Sequence, residues 1–174
     1  KLRTTSLPME RGKGYAILVP GVVNPITYAL SGPIQQGELT WNFSEEGWHL
    51  IGNPFPASIR WRNDPSAWQL TNIATTMAVT DNALAGGYPT YFRYWSYDSG
   101  DDPTDWGAGV VQNGVVAMGQ AFWVYVGEGG GSLTIYEQAK ERTLAGQFYR
   151  TNPSAEDELL KIELDDGKSA DAVY

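Results

Sequence analysis

Aromatic side chains are concentrated between residues 61 and 106, and they are the residues of this sequence best suited to binding a ligand. Flat rings stack on the apolar faces of sugars, and flanking Asn, Asp and Gln side chains can bind the hydroxyl groups. The candidate glycan-binding residues are Trp61, Trp68, Tyr91, Trp95, Tyr97 and Trp106. Because alternate residues of a strand point to opposite faces, half of these rings can instead belong to the core or to an interface.

The most aromatic stretch, residues 88–97, predicts a single strand. Within it, Tyr91 and Trp95 share one face, whereas Phe92 and Tyr94 share the other. One set of rings is expected to face the core and the other to face outwards. The alternation alone leaves open which set is which.

An acidic, glycine-containing loop follows this strand. Its aspartates are Asp98, Asp101, Asp102 and Asp105. Calcium takes about six to eight oxygen ligands, which loop carboxylates and backbone carbonyls can supply. The spacing is not that of an EF-hand, and a solvated acidic loop accounts for the same residues. The expectation is therefore no cofactor, with calcium bound at this loop as the alternative.

No group of residues predicts catalysis. The single histidine, His49, lies in a predicted strand, and the sequence has neither cysteine nor a Gly-x-Ser-x-Gly motif to complete a zinc site or a hydrolase triad. Glu45 and Glu46 are adjacent, so as strand residues they would point to opposite sides rather than flank one glycosidic bond. No glycine-rich phosphate loop precedes a helix. The chain is expected not to be an enzyme.

The charge and composition disfavour binding to nucleic acids and membranes. The net charge of −8 disfavours binding to nucleic acid and to anionic membrane surfaces. No apolar run is long enough to cross a bilayer, so membrane insertion is not expected. With 42% hydrophobic and 18% charged residues, the chain can form a folded core.

Short segments of period-two hydrophobicity, separated by Gly and Pro, predict the fold class. The predicted strands include residues 15–19, 27–30, 38–43, 47–52, 88–97, 119–126 and 133–136. Residues 64–68 are expected to form one helical turn with Asp64 as its N-cap and Pro65 in the first position. Residues 72–79 fit a strand or a helix. The overall expectation is an all-β, antiparallel, jelly-roll-like β-sandwich with little helix.

Two hairpins and a domain organisation are also predicted. Residues 133–136 are expected to form a hairpin with the strand at 119–126, across the flexible turn at 127–131. Residues 158–164 and 170–174 are expected to form another, across Asp165-Asp166-Gly167. Residues 1–143 are then one β-sandwich domain. Residues 144–174 either complete that sandwich or begin a second β-domain.

Three segments, in this order, resemble a known type of module: Gly12-Lys13-Gly14-Tyr15, Gly47 to Pro56 (GWHLIGNPFP) and Gly119 to Val124 (GQAFWV). Together they resemble the β-sandwich module that precedes the type IX secretion sorting domain in Bacteroidetes surface and secreted proteins. The resemblance spans residues 9–174. It implies a sandwich fold and an extracellular or cell-surface location.

The second of these segments also carries physical expectations. Asn53 precedes Pro54, which pushes it out of the helical region, and its amide can cap backbone groups where the chain turns. Trp48 is expected to plug one end of the sandwich.

These observations lead to two hypotheses for the function. The first is a non-catalytic extracellular surface module acting in adhesion, as a spacer or as an assembly subunit. The alternative is a carbohydrate-binding domain of a secreted degradative enzyme. The expected partners are polysaccharides or other surface proteins. Because both ends of the chain lie near predicted strands, an incomplete sheet is also expected to self-associate by strand addition.

Overall fold

The computed structural model describes residues 9–16, 32–81, 91–98 and 112–142, and the backbone of two strands at 162–165 and 170–173. Over these ranges the chain is all-β with antiparallel pairing, and its helical structure is limited to 3-10 turns at 112–114 and 137–139. The predicted fold class is therefore confirmed. Within the same ranges no helix has the length and apolar character that a membrane span requires.

The strands of the described ranges are numbered in chain order. They are β1 (Leu39–Phe43), β2 (Gly47–Gly52), β3 (Ser58–Arg60), β4 (Trp68–Thr71), β5 (Ile73–Asp81), β6 (Tyr91–Ser96), β7 (Val115–Val116), β8 (Ala121–Val126), β9 (Gly131–Ile135), β10 (Lys140–Glu141), β11 (Ile162–Asp165) and β12 (Ala170–Val173). The predicted strands at 38–43 and 47–52 are confirmed almost to the residue. The ambiguous segment 72–79 is a strand, β5.

The strands form two main sheets. The four-stranded sheet has the order β2-β8-β5-β6, and the three-stranded sheet has the order β1-β9-β4. A smaller sheet, β10-β3-β7, accompanies them, and β11 pairs with β12. Every pairing in these sheets is antiparallel.

The core lies between the two main sheets. In β8 the buried residues Phe122, Val124 and Val126 alternate with partly exposed ones, so one face of the four-stranded sheet points inwards. From the other side, the Trp68 ring packs edge-on against Phe122, with 6.5 Å between the ring centroids. The buried cluster draws on both main sheets, which makes the fold a sandwich.

The chain changes sheet at the loop that follows β8. Strand β8 pairs with β2 and β5, whereas β9 pairs with β1 and β4, so the predicted hairpin between them is wrong. The amide of Asn72 explains the course of the loop, because its Nδ2 donates to the carbonyl oxygens of Glu128 and Gly130 at 2.9 and 2.7 Å. Gly130 has a φ of +83°, and a Cβ there would collide with the carbonyl oxygen of Phe43.

The predicted cap by Asp64 forms before β4, although residues 65–67 make a hydrogen-bonded turn rather than a helix. The carboxylate of Asp64 accepts hydrogen bonds from the backbone N–H and the hydroxyl of Ser66, at 3.0 and 2.6 Å. The backbone N–H groups of Ala67 and Trp68 donate to the carbonyl oxygen of Asp64. The bonds from Ser66, with the charge of Arg62, lower the pKa of the Asp64 carboxyl.

Asn53 caps the turn after β2, as the sequence predicts. Its side-chain Nδ2 donates to the carbonyl oxygens of Ala57 and Ala117, at 2.8 and 3.0 Å. Its Oδ1 accepts a hydrogen bond from the backbone N–H of Phe55 at 3.0 Å. One amide therefore joins its own turn to a loop that lies 64 residues further along the chain.

The three segments that carry the family resemblance meet in the four-stranded sheet. The backbone of Gly12–Gly14 bonds to one edge of β2, through Gly14 N–H to the Leu50 oxygen and Gly52 N–H to the Gly12 oxygen. Strand β8, from the third segment, pairs along the other edge of β2. The segments are thus neighbours in space, around β2.

The chain divides into two compact units. One comprises Lys1–Tyr15 and Ile34–Thr151, and contains β1 to β10. The other comprises Ala16–Pro33 and Asn152–Tyr174. Within it, β11 and β12 pair from Ile162↔Val173 to Asp165↔Ala170, which confirms the predicted C-terminal hairpin. The assignment of residues 144–174 to the sandwich or to a second domain stays a prediction.

Two further predicted strands fall mainly outside the described residues. Tyr15 and Ala16 of the segment 15–19 are described and lie outside any strand, while the remainder of that segment and all of 27–30 are not described.

Candidate functional site

The outer face of the four-stranded sheet carries aromatic side chains. In β8, Trp123 and Tyr125 alternate with the buried core residues, so they point away from the core. The strand register sets Trp48 of β2 opposite Tyr125, and it sets Tyr94 of β6 opposite Ala78 of β5. Rings from three strands therefore lie side by side on one surface.

These rings enclose a small cleft of about 250 Å³. The described residues that line this aromatic cleft are Trp48, Ala78, Phe92, Tyr94 and Trp123. Ala78 is only 1% exposed and forms its floor between the larger side chains. None of the five lining residues carries a charge.

The rings hold one another in edge-to-face arrangements. The ring of Trp48 lies 6.3 Å from that of Tyr94 and 5.5 Å from that of Tyr125, with interplanar angles of 61° and 69°. The Phe92 ring lies 6.2 Å from Trp123 at 82°. Edge-to-face pairs are each worth about 0.5–1.5 kcal/mol beyond their area burial, so the cleft is largely formed without a ligand.

Trp48 is the most accessible ring of the cleft. Its side chain is 39% exposed, so the expectation that it plugs one end of the sandwich is wrong. The reason is the register of β2, in which the buried Ile51 pairs with the core residue Phe122. Trp48 lies at the opposite parity and therefore on the outer face.

Two polar contacts border the cleft. The indole Nε1 of Trp123 donates to the hydroxyl of Thr80 at 3.2 Å. Beside Trp48, the hydroxyl of Tyr125 donates to the carboxylate of Glu46 at 2.7 Å. That hydrogen bond, followed by partial burial and the charge of Glu46, raises the pKa of the Tyr125 hydroxyl.

Trp61 and Trp68 are core residues, which corrects their prediction as glycan-binding residues. They are 1% and 4% exposed, and their ring centroids lie 4.8 Å apart. The Nε1 of Trp61 donates to the carbonyl oxygen of Thr75 at 2.7 Å, and that of Trp68 to the oxygen of Arg60 at 2.8 Å. With both rings buried and both polar atoms satisfied, neither ring can stack on a sugar.

Trp95 and Tyr97 also lie on the core side, a question that the alternation in the sequence left open, and their assignment as glycan-binding residues stays a prediction. Both are partly buried and pack against the core cluster. The Nε1 of Trp95 donates to the carbonyl oxygen of Trp61 at 3.1 Å. Partial burial, with the charge of Asp98, raises the pKa of the Tyr97 hydroxyl.

The remaining predicted site residues are only partly described. Asp98 is exposed, whereas Asp101, Asp102, Asp105 and Trp106 lie outside the described residues. For Tyr91 only the strand backbone is described. In the described ranges no cluster of three or more His, Asp or Glu residues could hold a metal ion. The calcium prediction stays a prediction.

His49 has a structural environment. Its Nε2 lies 3.0 Å from the carbonyl oxygen of Glu45, and its ring packs on that of Phe43 at 4.7 Å.

The sequence contains a signal for the cleft that the choice of candidate residues misses. Phe92 and Tyr94 share one face of a predicted strand, and Trp123 lies in a predicted core strand. The signal is the presence of aromatic residues at both parities of β6 and β8. A strand with one face in water is expected to alternate apolar with polar residues. Aromatic residues on both faces therefore indicate that the face outside the core is a binding surface.

The chain matches no protein-family model, no curated protein and no solved structure.

Proposed function

We propose that the chain is a non-catalytic module of an extracellular or cell-surface protein and that it binds carbohydrate through the aromatic cleft. The observation that carries the proposal is the exposed Trp48 ring, set beside Tyr94 on the outer face of the sheet. A binding site typically has large apolar side chains that lie together on the surface, outside the core.

The chemistry of the cleft supports a sugar as the ligand. The described residues of its walls are uncharged and, apart from Ala78, aromatic, which suits stacking on the C–H faces of a pyranose ring. Its volume of about 250 Å³ is just below the usual range of about 300–1,000 Å³ for ligand pockets, so it suits one ring-sized group. The Thr80 hydroxyl bonds to the lining residue Trp123, and the Glu46 carboxylate bonds to Tyr125, the neighbour of Trp48, so both are candidate polar partners.

The first hypothesis from the sequence, an adhesion, spacer or assembly module, remains compatible with this surface. A pure spacer does not explain an exposed tryptophan, whereas an adhesin that recognises a glycan does. The Bacteroidetes surface-protein resemblance and self-association by strand addition both stay predictions. A glycan-binding role is compatible with each of them.

Replacing Trp48 with alanine is expected to weaken glycan binding by about five- to 150-fold. Stacking of one exposed ring contributes about 1–3 kcal/mol, by analogy with base stacking, and each 1.4 kcal/mol is about tenfold in affinity. The measurement is a glycan array with pull-down on insoluble polysaccharides, followed by titration of the best ligand into wild type and variant.

The matched control is Tyr136→Ala. Tyr136 donates its hydroxyl hydrogen bond to Gln69, an exposed residue of the three-stranded sheet, so the change removes a ring away from the cleft. We expect this variant to bind like wild type. If wild type binds no glycan, the proposed function is wrong. If Trp48→Ala binds as well as Tyr136→Ala, the aromatic cleft is not the binding site.

A further inference from the structure

Glu46 is connected to the aromatic cleft through a chain of contacts. Its Oε1 accepts the hydrogen bond of the Tyr125 hydroxyl at 2.7 Å. The ring of Tyr125 lies 5.5 Å from that of Trp48, which itself lies 6.3 Å from Tyr94 in the cleft wall. Tyr125 therefore connects the carboxylate to the most exposed ring of the cleft.

The second oxygen of Glu46 remains available to a ligand. The side chain is exposed, and Oε2 has no hydrogen-bond partner among the residues that the structure describes. An ionised carboxylate only accepts hydrogen bonds, and it offers several lone-pair positions. Hydrogen bonds to a charged acceptor are also stronger than neutral ones. A sugar hydroxyl is a donor that fits this position.

The charge around the cleft disfavours an acidic sugar. The five lining residues supply no positive charge to pair with a carboxylate or sulfate. Glu46 adds a negative charge beside Trp48, and the whole chain has a net charge of −8. Placing like charges together weakens binding and excludes the wrong partner.

We infer that the aromatic cleft selects uncharged glycans, with Glu46 accepting a hydrogen bond from a sugar hydroxyl, and that it discriminates against uronate-bearing and sulfated chains. This inference rests on the proposed carbohydrate-binding function and specifies its ligand class. The ring of Trp48 provides the stacking surface. Tyr125 positions the carboxylate of Glu46, which accepts a hydrogen bond from a sugar hydroxyl and repels the carboxylate or sulfate of an acidic sugar.

The test uses pairs of oligosaccharides that differ only in charge. β-1,4-Mannan and β-1,4-mannuronan oligosaccharides share a backbone and differ by oxidation at C6, and β-1,4-glucan and glucuronan form a second pair. For the pair that wild type binds best, we expect the neutral member to bind at least about tenfold tighter. Added salt should reduce this ratio, because it screens charges that lie near the surface.

Two variants with the same change in net charge test whether the preference for the neutral oligosaccharide depends on the side chain of Glu46. Glu46→Gln removes the carboxylate beside Tyr125, and we expect it to weaken neutral binding and to reduce the neutral-to-uronate ratio by at least about threefold. Glu45→Gln changes the adjacent exposed carboxylate and serves as the control. We expect it to keep the wild-type ratio.

The outcomes separate this inference from the proposed function. If wild type prefers the uronate and Trp48→Ala abolishes that binding, the cleft binds glycans but its inferred selectivity is wrong. The inferred role of Glu46 is also wrong if Glu46→Gln and Glu45→Gln change the ratio equally. If none of the four oligosaccharides nor any arrayed glycan binds wild type, the proposed function fails and the selectivity fails with it.

Discussion

Replacing Trp61 with alanine is expected to lower the free energy of unfolding by about 3–5 kcal/mol, the usual cost of truncating a buried tryptophan. The side chain is 1% exposed, and its ring contacts those of Trp68 and Phe122 at centroid distances of 4.8 and 6.2 Å. Its Nε1 also donates to the Thr75 oxygen, which would lose its partner. The change therefore leaves a cavity and an unsatisfied acceptor together.

Urea denaturation followed by circular dichroism measures this effect, with Trp48→Ala as the matched control. The same truncation on the outer face removes two edge-to-face ring pairs of about 0.5–1.5 kcal/mol each but leaves no buried cavity, so it should cost less than Trp61→Ala. If Trp61→Ala does not fold, Trp61→Phe should fold with a smaller loss of stability. Equal losses for Trp61→Ala and Trp48→Ala would contradict the assignment of the inner and outer faces.

Replacing Asn53 with alanine is expected to cost about 2–4 kcal/mol of stability. The amide satisfies the carbonyl oxygens of Ala57 and Ala117 and the backbone N–H of Phe55. Each buried group left without its partner costs about 1–3 kcal/mol, and water can reach part of this turn. The loss of stability should exceed that of an average surface substitution, because this substitution removes the hydrogen bonds that join two loops.

Asn53→Asp and Asn42→Ala refine this second test. Asp keeps the acceptor for the Phe55 N–H, but its second oxygen would face the carbonyl oxygens of Ala57 and Ala117, so Asn53→Asp should be no more stable than Asn53→Ala. Asn42 is exposed in β1, and its truncation should change the free energy of unfolding by less than about 0.5 kcal/mol. Indistinguishable stabilities for Asn53→Ala and Asn42→Ala would show that the cap does not hold the two loops.

Strand positions were largely predictable because the signal for a strand is local. The polar–apolar alternation at 38–43 and the apolar pattern at 47–52 depend on neighbouring residues only, and both strands form. Strand pairing was harder to predict. A glycine-rich turn such as 127–131 suits a hairpin or a crossing between sheets, and the deciding contact to Gly130 is made by Asn72, 58 residues earlier.

The location of the candidate site also depends on contacts between residues that are far apart in the sequence. The sequence separated the rings of β6 into two faces but did not say which face was buried. The orientation is fixed where the indole of Trp95 donates to the Trp61 oxygen, 34 residues away in the chain. Trp48 is a second example, because its place on the outer face follows from the register of β2 on β8, in which the buried Ile51 pairs with Phe122.

Tryptophan indole resonances offer the most direct test of the aromatic cleft as the binding surface. The seven tryptophans each contribute one indole N–H signal in a ¹H–¹⁵N spectrum, and single Trp→Phe variants assign them. On titration with the tightest-binding neutral oligosaccharide, the signals of Trp48 and Trp123 should shift, and those of Trp61 and Trp68 should stay in place. Saturable binding that shifts other indoles and leaves the Trp48 signal unchanged would contradict the account.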